Sequence, residues 1–401
     1  MRRYVFFIVV CLLAMLGSTV ITSAQNDSAF TIEVVASGLN SPRGVAFTDD
    51  SMLVIEAGSG FSEQAVPGGD GRLLELRDIN SNGSYDDAGE RQVIIDDQPS
   101  YNSHVLLRTF NDETYGLGDV VVLPDGRVFF TKDNPYFEAG PEGTEAFYGD
   151  TGIFEVDMVT DTATRFIQRA STVNGMVYDA EREQFYAVES GRNQVIIVPI
   201  DWEEDPDSPA IGDPPVLAPM PILANNQQPV PAGIALDPTT GDVLVALFSG
   251  FLLDYYGQRM TYMPGDARVM RVNVDTGEVS EEISNLTTAV DVAVDDAGNL
   301  FVVEMTTDWP LAPMPLTYDL SDDDAGMDPG GYARYTGRVT MYPADGSEPI
   351  IIMENVDAPS NITYHENALY LSTGLGTTGR TVWTRYGERT IEGIIYRITG
   401  F

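Results

Sequence analysis

A unit of four short segments recurs six times along the chain, and this repeat constrains the fold more than any other feature. In each copy an apolar segment is followed by a turn and a second segment, which ends as LVIE in the first copy and FVVE in the fifth. Two more segments follow after a variable gap. The copies align at one position, which recurs at intervals of 56 to 75 residues: Gly44, Asp119, Gly175, Gly233, Asp291 and Asn361. Short apolar runs that alternate with polar residues between turns are typical of antiparallel strands.

Six copies of four strands predict an all-β chain, folded as a six-bladed β-propeller of four-stranded antiparallel blades. We expect a single domain over 25–401, with blades that start near residues 41, 116, 172, 231, 289 and 359. The sixth copy reaches only three strands before Phe401. The segment FTIEVVAS at 30–37 is therefore expected to supply the fourth strand and close the ring, which removes an exposed sheet edge. A β-sandwich, or two separate β domains, is the alternative architecture.

The first 24 residues have the pattern of an export signal. Arg2 and Arg3 precede an apolar run, and small or polar residues follow up to Ala24. This order of basic, apolar and cleavage regions predicts a signal peptide over 1–24 and an extracytoplasmic protein that is secreted, periplasmic or on the cell surface. A retained membrane anchor is the alternative. Because Cys11 is the only cysteine, the cleaved chain has no thiol for catalysis, disulfides or zinc binding.

The charge balance excludes some classes of partner. The chain has 22 Lys and Arg against 61 Asp and Glu, which gives a formal net charge of −39 at pH 7. Nucleic acids are bound through basic patches, so we exclude them as partners, and anionic membrane surfaces are disfavoured for the same reason. Metal cations, cationic ligands and neutral small molecules remain.

Propeller topology predicts where the polar repeat residues lie. The first strand of each blade lines the central channel and the second strand returns, so the start of the first strand and the end of the second share one mouth of the channel. Long segments rich in aromatic residues follow on that face, at 57–70, 133–150, 248–267, 305–336 and 373–390. Such loops on a rigid scaffold favour a site for a small molecule or protein partner; alternatively, the polar residues only cap strands and bind water. The predicted ring comprises Arg43, Asp119, Asn174, Asp291, Asn361, Glu56, Lys132, Glu189 and Glu304.

The segment DINSNGSYD, at 78–86, matches the first nine positions of a calcium-binding EF-hand loop. No helical pattern flanks it, and it falls in the turn between the third and fourth strands of blade 1, away from the loop-rich mouth. We therefore predict a structural Ca²⁺ ion, with Glu90 or Asp87 in place of the usual final Glu. A metal-free turn of Asp, Asn and Gly is the alternative. The predicted ligands are Asp78, Asn80, Asn82, the carbonyl of Ser84, Asp86 and Glu90.

The sequence offers little for histidine or serine catalysis. His365 falls in a hairpin on the face opposite the loop-rich mouth. His104 lies on the mouth side and could reach the channel, although a structural role is the other interpretation. The sequence contains no G-x-S-x-G motif, paired-histidine metal motif or P-loop.

The segment VVASGLNSPRGVAF, together with LVIEAGSG and GRLLEL, resembles the ScyD/ScyE family of exported bacterial propeller proteins. The later copies NGMVYD and AVDVAVDDAGNLFVVEM resemble the same repeat, so the likeness spans 25–401. It implies the fold and export, and brings no settled reaction. A more distant resemblance is to calcium-dependent sugar-lactone lactonases, which hold a divalent ion at the channel mouth with Glu, Asn and Asp. Quinone-dependent sugar dehydrogenases resemble the chain less, because they need a channel histidine.

Two classes of function follow from these patterns. The first is an exported, calcium-stiffened propeller that binds a small molecule or protein at the channel mouth without a reaction. The second is a metal-dependent hydrolase of lactones or related esters, since a channel metal can polarise a carbonyl and activate water. The resemblance to lactonases points to Glu56, Asn174 and Asp291 as its metal ligands, and Arg43 of the polar ring completes the candidate catalytic residues.

Overall fold

The computed structural model describes residues 30–60, 69–102, 113–133, 137–139, 145–147, 151–169, 171–202, 214–224, 227–248, 262–308 and 332–401. The predicted signal peptide and His104 lie outside these ranges. Within them the helical element is a single 3-10 turn, Ser190–Arg192, and the other regular elements are strands. None of the described segments forms a helix with the length and apolarity that crossing a membrane requires.

Six four-stranded antiparallel sheets form the six blades of a β-propeller. Blade 1 comprises Pro42–Phe47, Met52–Glu56, Gly71–Leu76 and Arg91–Gln98. Blade 2 comprises Leu117–Val122, Val128–Lys132, Gly152–Asp157 and Thr162–Gln168. Blade 3 comprises Val173–Asp179, Gln184–Glu189, Gln194–Pro199 and Val216–Pro219. Blade 4 comprises Pro231–Leu236, Val243–Leu247, Ala267–Val272 and Val279–Leu286. Blade 5 comprises Ala289–Val294, Leu300–Glu304, Gly337–Tyr342 and Ile350–Val356.

Blade 6 closes the ring with strands from both ends of the domain. The C-terminal part of the chain supplies its first three strands, Asn361–His365, Ala368–Thr373 and Gly393–Thr399. The N-terminal strand Thr31–Leu39 is the fourth. Thr31 pairs with Thr399 in an antiparallel register that continues to Leu39 and Gly393. The predicted six-bladed fold and its closure by the N-terminal strand are therefore confirmed, and the β-sandwich alternative is wrong.

Within the described ranges, three short hairpins lie outside the blades. They pair Tyr101–Asn102 with Thr114–Tyr115, Phe137–Ala139 with Glu145–Phe147, and Thr381–Thr384 with Gly387–Thr390.

The first strands of neighbouring blades contact one another in a closed cycle, with blade 6 against blade 1. These six strands therefore surround the central channel. Two serine hydroxyls of blade 6 join the ends of the cycle: Ser360 Oγ donates to Pro42 O at 2.8 Å and Ser372 Oγ donates to Arg43 O at 2.7 Å. A methyl group added at Gly44, Gly175 or Gly233 would meet backbone atoms of the next blade, so the first strands pack closely around the channel.

The hydrophobic core lies between the blades. The second strands are buried on both faces, as in Met52–Glu56 and Val243–Leu247, because each sheet is covered by its two neighbours. This explains why they read as continuous apolar runs rather than as an alternating pattern. Leu53 and Ile55 of blade 1, for example, belong to one cluster with Phe130 of blade 2. Each such fully buried side chain contributes about 1.5–3 kcal/mol to folding.

Candidate functional site

The aligned repeat positions form a ring around the channel. We call Gly44, Asp119, Gly175, Gly233, Asp291 and Asn361 the channel ring, because each lies on the first strand of its blade. The glycines allow the strands to approach closely: a methyl group on Gly44 would lie 2.6 Å from Asp119 Cα, and one on Gly233 would lie 2.6 Å from Asp291 Cα. Blades 2 and 5 are three apart, so Asp119 and Asp291 stand on opposite sides of the channel.

Asp119 and Asp291 each join their blade to the next one. Asp119 accepts the backbone N–H of Val120 at 2.9 Å and, across the blade boundary, that of Met176 at 3.0 Å. Asp291 accepts the N–H of Val292 at 2.9 Å and that of Ile362 at 2.8 Å.

Asp291 has a further donor, since Asn361 Nδ2 lies 2.8 Å from its Oδ2. Both carboxyl groups are thus held in fixed orientations by donors on two blades. Positions fixed in this way suit a binding or catalytic group.

Burial makes these acids weaker than usual. It raises the pKa of Asp119 to about 6, although bonds from Met176 and Val120 and the charge of Arg43 act in the other direction. Burial also raises the pKa of Asp291 well above its usual value, with the nearby Asp119 carboxylate as a second cause. Burial therefore favours the neutral form of both acids more than water does, and a protonated carboxyl group can donate a hydrogen bond.

A cavity lies against the channel ring on the mouth side. It contains about 600 Å³ of space, including solvent at its entrance. The structure brings five predicted residues together in its lining: Arg43, Asp119, Asn174, Asp291 and Asn361. The lining also includes residues that the sequence did not suggest, namely Glu113, Tyr115, Val230, Ala232, Phe248, Val290, Met305 and Leu375.

Glu113 is the third buried acid of this cavity, and sequence reasoning missed it. Burial raises its pKa, while Arg43 and hydrogen bonds from Tyr115 and Tyr332 lower it. Tyr332 OH lies 3.5 Å from Glu113 Oε2. Glu113 comes from the connection between blades 1 and 2, where no repeat marks it; the tyrosine two residues later is the only local signal. The positive charge of Arg43 acts to lower the pKa of Glu113, Asp119 and Asp291. The Arg43 guanidinium also lies 5.9 Å from the centre of the Tyr115 ring.

The predicted ring residues at the ends of second strands lie within the blades instead. Glu56 is 1% exposed, forms an ion pair of 2.7 Å with Arg72 and accepts Asn40 N–H at 2.7 Å. Glu304 likewise binds Arg338 and the backbone N–H of Thr287.

Blades 2 and 3 show the same correction to the predicted ring. Glu189 forms an ion pair of 2.6 Å with Arg169, both side chains being fully buried, and Lys132 Nζ lies 4.0 Å from the centre of the Phe154 ring. Arg72 and Arg338 each lie near the start of the third strand of their blade, whereas Arg169 directly follows the last strand of blade 2. These arginines pair with the three glutamates, and sequence position alone did not reveal the pairs.

The lactonase-like metal triad is therefore not assembled. Asn174 and Asp291 line the cavity, whereas Glu56 is held inside blade 1. Among the described residues, no group of three or more His, Cys, Asp and Glu side chains could hold a metal ion. These residues do not fit a three-ligand metal centre of that kind, and no chemical step is derived through one.

The channel continues below the ring to the opposite face. Asp119, Asp291 and Asn361 border this lower space as well, so they separate the two ends of the channel. His365 lies at the lower end, where its ring stacks on Phe47 with centroids 4.0 Å apart. Burial lowers the pKa of His365, and its place in the lower space agrees with its predicted position away from the cavity.

The predicted calcium loop lies between the third and fourth strands of blade 1. Asp78 accepts Asn82 N–H at 3.0 Å and Gly83 N–H at 2.8 Å, while Ser84 N–H donates to Asn82 Oδ1 at 2.8 Å. Asn80 and Asn82 both direct their side-chain amides to Asp87 Oδ2, each at 2.8 Å. Asp87 therefore faces the side chains of the loop.

Asp86, also a predicted calcium ligand, contacts two other parts of the chain. Its carboxylate binds Arg91 and accepts Ser37 N–H at 2.9 Å and Ser37 Oγ–H at 2.8 Å. Since Ser37 belongs to the N-terminal strand, Asp86 ties blade 1 to blade 6. Glu90 is 1% exposed and its Oε2 accepts the N–H of Asp87 at 3.0 Å, whereas its Oε1 has no hydrogen-bond partner among the described residues.

Comparison with known proteins gives the chain a family context. Residues 26–285 match the family model described as the SMP-30/Gluconolactonase/LRE-like region. No curated protein matches the sequence. An oxidoreductase of Thermus thermophilus, described as a glucose dehydrogenase, is similar in structure with a TM-score of 0.51 and 12% identity, over 92% of this chain and 99% of that one.

A second similar structure is a Trichoderma reesei protein of carbohydrate-active enzyme family AA12. Its TM-score is 0.50 and its identity 10%, over 97% of this chain and 100% of that one. At these identities the two structures support the fold alone.

Proposed function

The chain belongs to the SMP-30/gluconolactonase/LRE-like family of β-propellers, and from this premise we propose that it binds a small uncharged molecule in the channel-mouth cavity. The observation that carries the proposal is the set of fixed polar groups in that cavity: Arg43, Asn174, Asn361 and the two acids of the channel ring. A concave site with a few oriented polar groups among apolar walls is the usual form of a small-molecule site.

Charge favours an uncharged ligand. Burial raises the pKa of Glu113, Asp119 and Asp291, which favours their neutral forms, and the positive charge of Arg43 acts on all three acids. An anion would meet the acids, and a cation would compete with Arg43. A neutral molecule with carbonyl or hydroxyl oxygens needs no such compensation, and it can accept from Arg43 and Asn174 and donate to Asp119.

Hydrolysis of lactones or related esters is the second candidate, and the raised pKa of Asp119 favours it. Above pH 6 this carboxylate can take a proton from water as the water oxygen attacks the carbonyl carbon. Arg43 would stabilise the negative charge that develops on the carbonyl oxygen. The ring C–O bond then breaks, and Asp119 returns the proton to the leaving alcohol oxygen, so that a hydroxy acid is formed.

We also propose that the protein is exported, cleaved after Ala24, and ScyD/ScyE-like, on the basis of the signal pattern and the quoted motifs. Calcium binding at the loop 78–90 remains part of the proposal, with one revision and one condition: the acidic side chains of the loop must move together when the ion binds, because they do not form a group of three in the structure. Because Asp87 faces Asn80 and Asn82 while Asp86 binds Arg91, Asp87 replaces Asp86 in the ligand set. Glu90 supports this set, since one of its buried oxygens has no partner. The ion would stiffen the connection between blades 1 and 6.

Saturation-transfer NMR with δ-valerolactone tests the binding proposal. This compact neutral lactone should receive saturation from the wild-type protein and lose it in Arg43→Gln and Asn174→Ala. Asp49→Asn is the matched control, because Asp49 is an exposed acid remote from the cavity lining. Equal saturation in all four proteins would show that the cavity is not the site, and no saturation in any of them would overturn binding of this ligand class.

Proton release from the same lactone separates binding from hydrolysis. If the cavity hydrolyses lactones, a pH-stat should record proton release above the spontaneous rate for the wild type and for Asp49→Asn. Proton release with Asp119→Asn should not exceed the spontaneous rate. Binding without release would leave the non-catalytic function.

A calcium titration by calorimetry tests the loop separately. One site should be present in the wild type and absent from Asp87→Asn with Asp78→Asn; heat that is unchanged in this double variant would contradict the assignment.

A further inference from the structure

The wall of the cavity has two chemically different sides. Blades 1 to 3, with the connection between blades 1 and 2, contribute a polar arc: Arg43, Glu113, Tyr115 and Asn174. Blades 4 to 6 contribute the polar residues Asp291, Ser360 and Asn361 and six apolar ones, which we call the apolar arc: Val230, Ala232, Phe248, Val290, Met305 and Leu375. Among the described lining residues, the aliphatic, Met and Phe side chains therefore all lie on the side of blades 4 to 6.

The apolar arc is continuous with the hydrophobic core. Phe248, Val290, Met305 and Leu375 belong to one cluster of buried side chains, and Val230 and Ala232 pack against it. The ring of Phe248 also packs edge-on against Tyr332, with centroids 5.6 Å apart. The arc is thus a fixed apolar surface, backed by core on its outer side and facing the cavity on its inner side.

We propose that the ligand is amphipathic: an alkyl-substituted lactone or ester, with its apolar part against blades 4 to 6 and its carbonyl towards the polar arc. This inference rests on the proposed function, since it concerns the same cavity. Asn174 and Arg43 would receive the carbonyl oxygen, and Ala232 and Val290 would contact the alkyl part. A sugar lactone fits this surface poorly, because it carries hydroxyl groups around its whole ring.

The physical reason is the hydrogen bonds that such hydroxyl groups lose. A hydroxyl that leaves water to face the side chains of Val290 or Phe248 gains no partner among the described residues of the apolar arc. An unpaired hydroxyl weakens binding by roughly tenfold or more. A methyl group in the same place gains contact instead. The discrimination between an alkyl-substituted lactone and a sugar lactone therefore depends on the apolar arc. The polar arc contributes to the binding of both kinds of lactone.

A matched pair of lactones tests the inference. δ-Hexalactone and glucono-1,5-lactone share a six-membered lactone ring, and they differ in the hydroxyl groups and in a methyl against a hydroxymethyl substituent. NMR titrations started within minutes of dissolving each lactone measure both affinities. We expect δ-hexalactone to bind at least tenfold more tightly to the wild type.

Two variants address the apolar arc directly. Ala232→Ser and Val290→Thr each place a hydroxyl on the apolar arc with little change of volume. Each should reduce the ratio of the affinity for δ-hexalactone to that for glucono-1,5-lactone several-fold. Ala232 is the safer position, because it is half-buried rather than part of the closed core. Arg43→Gln should weaken both lactones to a similar extent and leave their ratio unchanged.

The outcomes separate the two levels of the proposal. Equal or tighter binding of glucono-1,5-lactone, or a ratio that Ala232→Ser leaves unchanged, would overturn the inference and leave the cavity as a binding site. Binding of neither lactone would overturn the proposed function and this inference with it. A preference for δ-hexalactone that narrows in Ala232→Ser supports both.

Discussion

Asp119→Asn should change how the stability of the protein depends on pH. In the folded protein the pKa of Asp119 is about 6, against 3.8 for the free group. The folded state therefore holds the Asp119 proton more tightly than the unfolded state does. Ionising the carboxyl group costs stability as the pH rises through this interval, and the loss is complete above the folded pKa. The variant carries no titrating group at this position and escapes the loss.

The magnitude follows from the difference of about 2 pKa units, which corresponds to about 3 kcal/mol at pH 8. About half of this, near 1.4 kcal/mol, develops between pH 5 and pH 8. The amide keeps one acceptor for the N–H groups of Val120 and Met176 and loses the other. That loss gives a constant offset of about 1–3 kcal/mol, which does not vary with pH.

Urea unfolding followed by tryptophan fluorescence at pH 5, 6, 7 and 8 measures the effect. The free energy of unfolding of Asp119→Asn minus that of the wild type should rise by about 1.4 kcal/mol over this range. Asp125→Asn is the control, because hydrogen bonds from Arg127 lower the pKa of exposed Asp125, and it stays ionised throughout. If the difference in unfolding free energy between Asp119→Asn and the wild type is the same at all four pH values, the pKa of Asp119 is not raised by burial in the folded protein.

Three further changes test the packing around the cavity. Glu56→Gln should lower the melting temperature while leaving lactone binding unchanged, since Glu56 does not line the cavity. Gly233→Ala should destabilise the fold severely in thermal unfolding, because the new methyl group would lie 2.6 Å from Asp291 Cα. Arg169→Met should cost about 3–5 kcal/mol in urea unfolding, because it leaves the fully buried Glu189 without its ion-pair partner.

Each of these predictions has a contrasting result. Loss of lactone binding in a folded Glu56→Gln variant would return this residue to the site. Gly346→Ala is the control for Gly233→Ala: no atom lies within 4 Å of the added methyl group, so only its positive φ of 76° opposes the change, at a cost of about 1 kcal/mol. For Arg169→Met, a stability like that of the wild type would mean that the ion pair with Glu189 does not stabilise the fold.

The sequence by itself determined the six-bladed fold, its closure and the channel ring. These depend on strand periodicity and on a repeat that returns the same position to the same place in each blade. The strand alternation is a local property, and six copies of it can bury their faces only against one another. For that reason Asp119, Asp291 and Asn361 could be assigned to one site before any contact was known.

The tertiary structure decided which polar residues face the cavity. Glu56 and Asp291 both occupy positions that recur in the repeat. Glu56 forms an ion pair with Arg72 inside its own blade, whereas Asp291 accepts the N–H of Ile362 on the neighbouring blade. Glu113 enters the cavity from a connection without a repeat, and Asp87 rather than Asp86 faces its loop because Arg91 captures Asp86.

The division of the cavity into polar and apolar arcs was equally invisible in the sequence. Its members come from five of the blades and from one connection, at positions far apart in the chain. No local pattern encodes such a surface, because it results from which side chains the closed ring brings face to face.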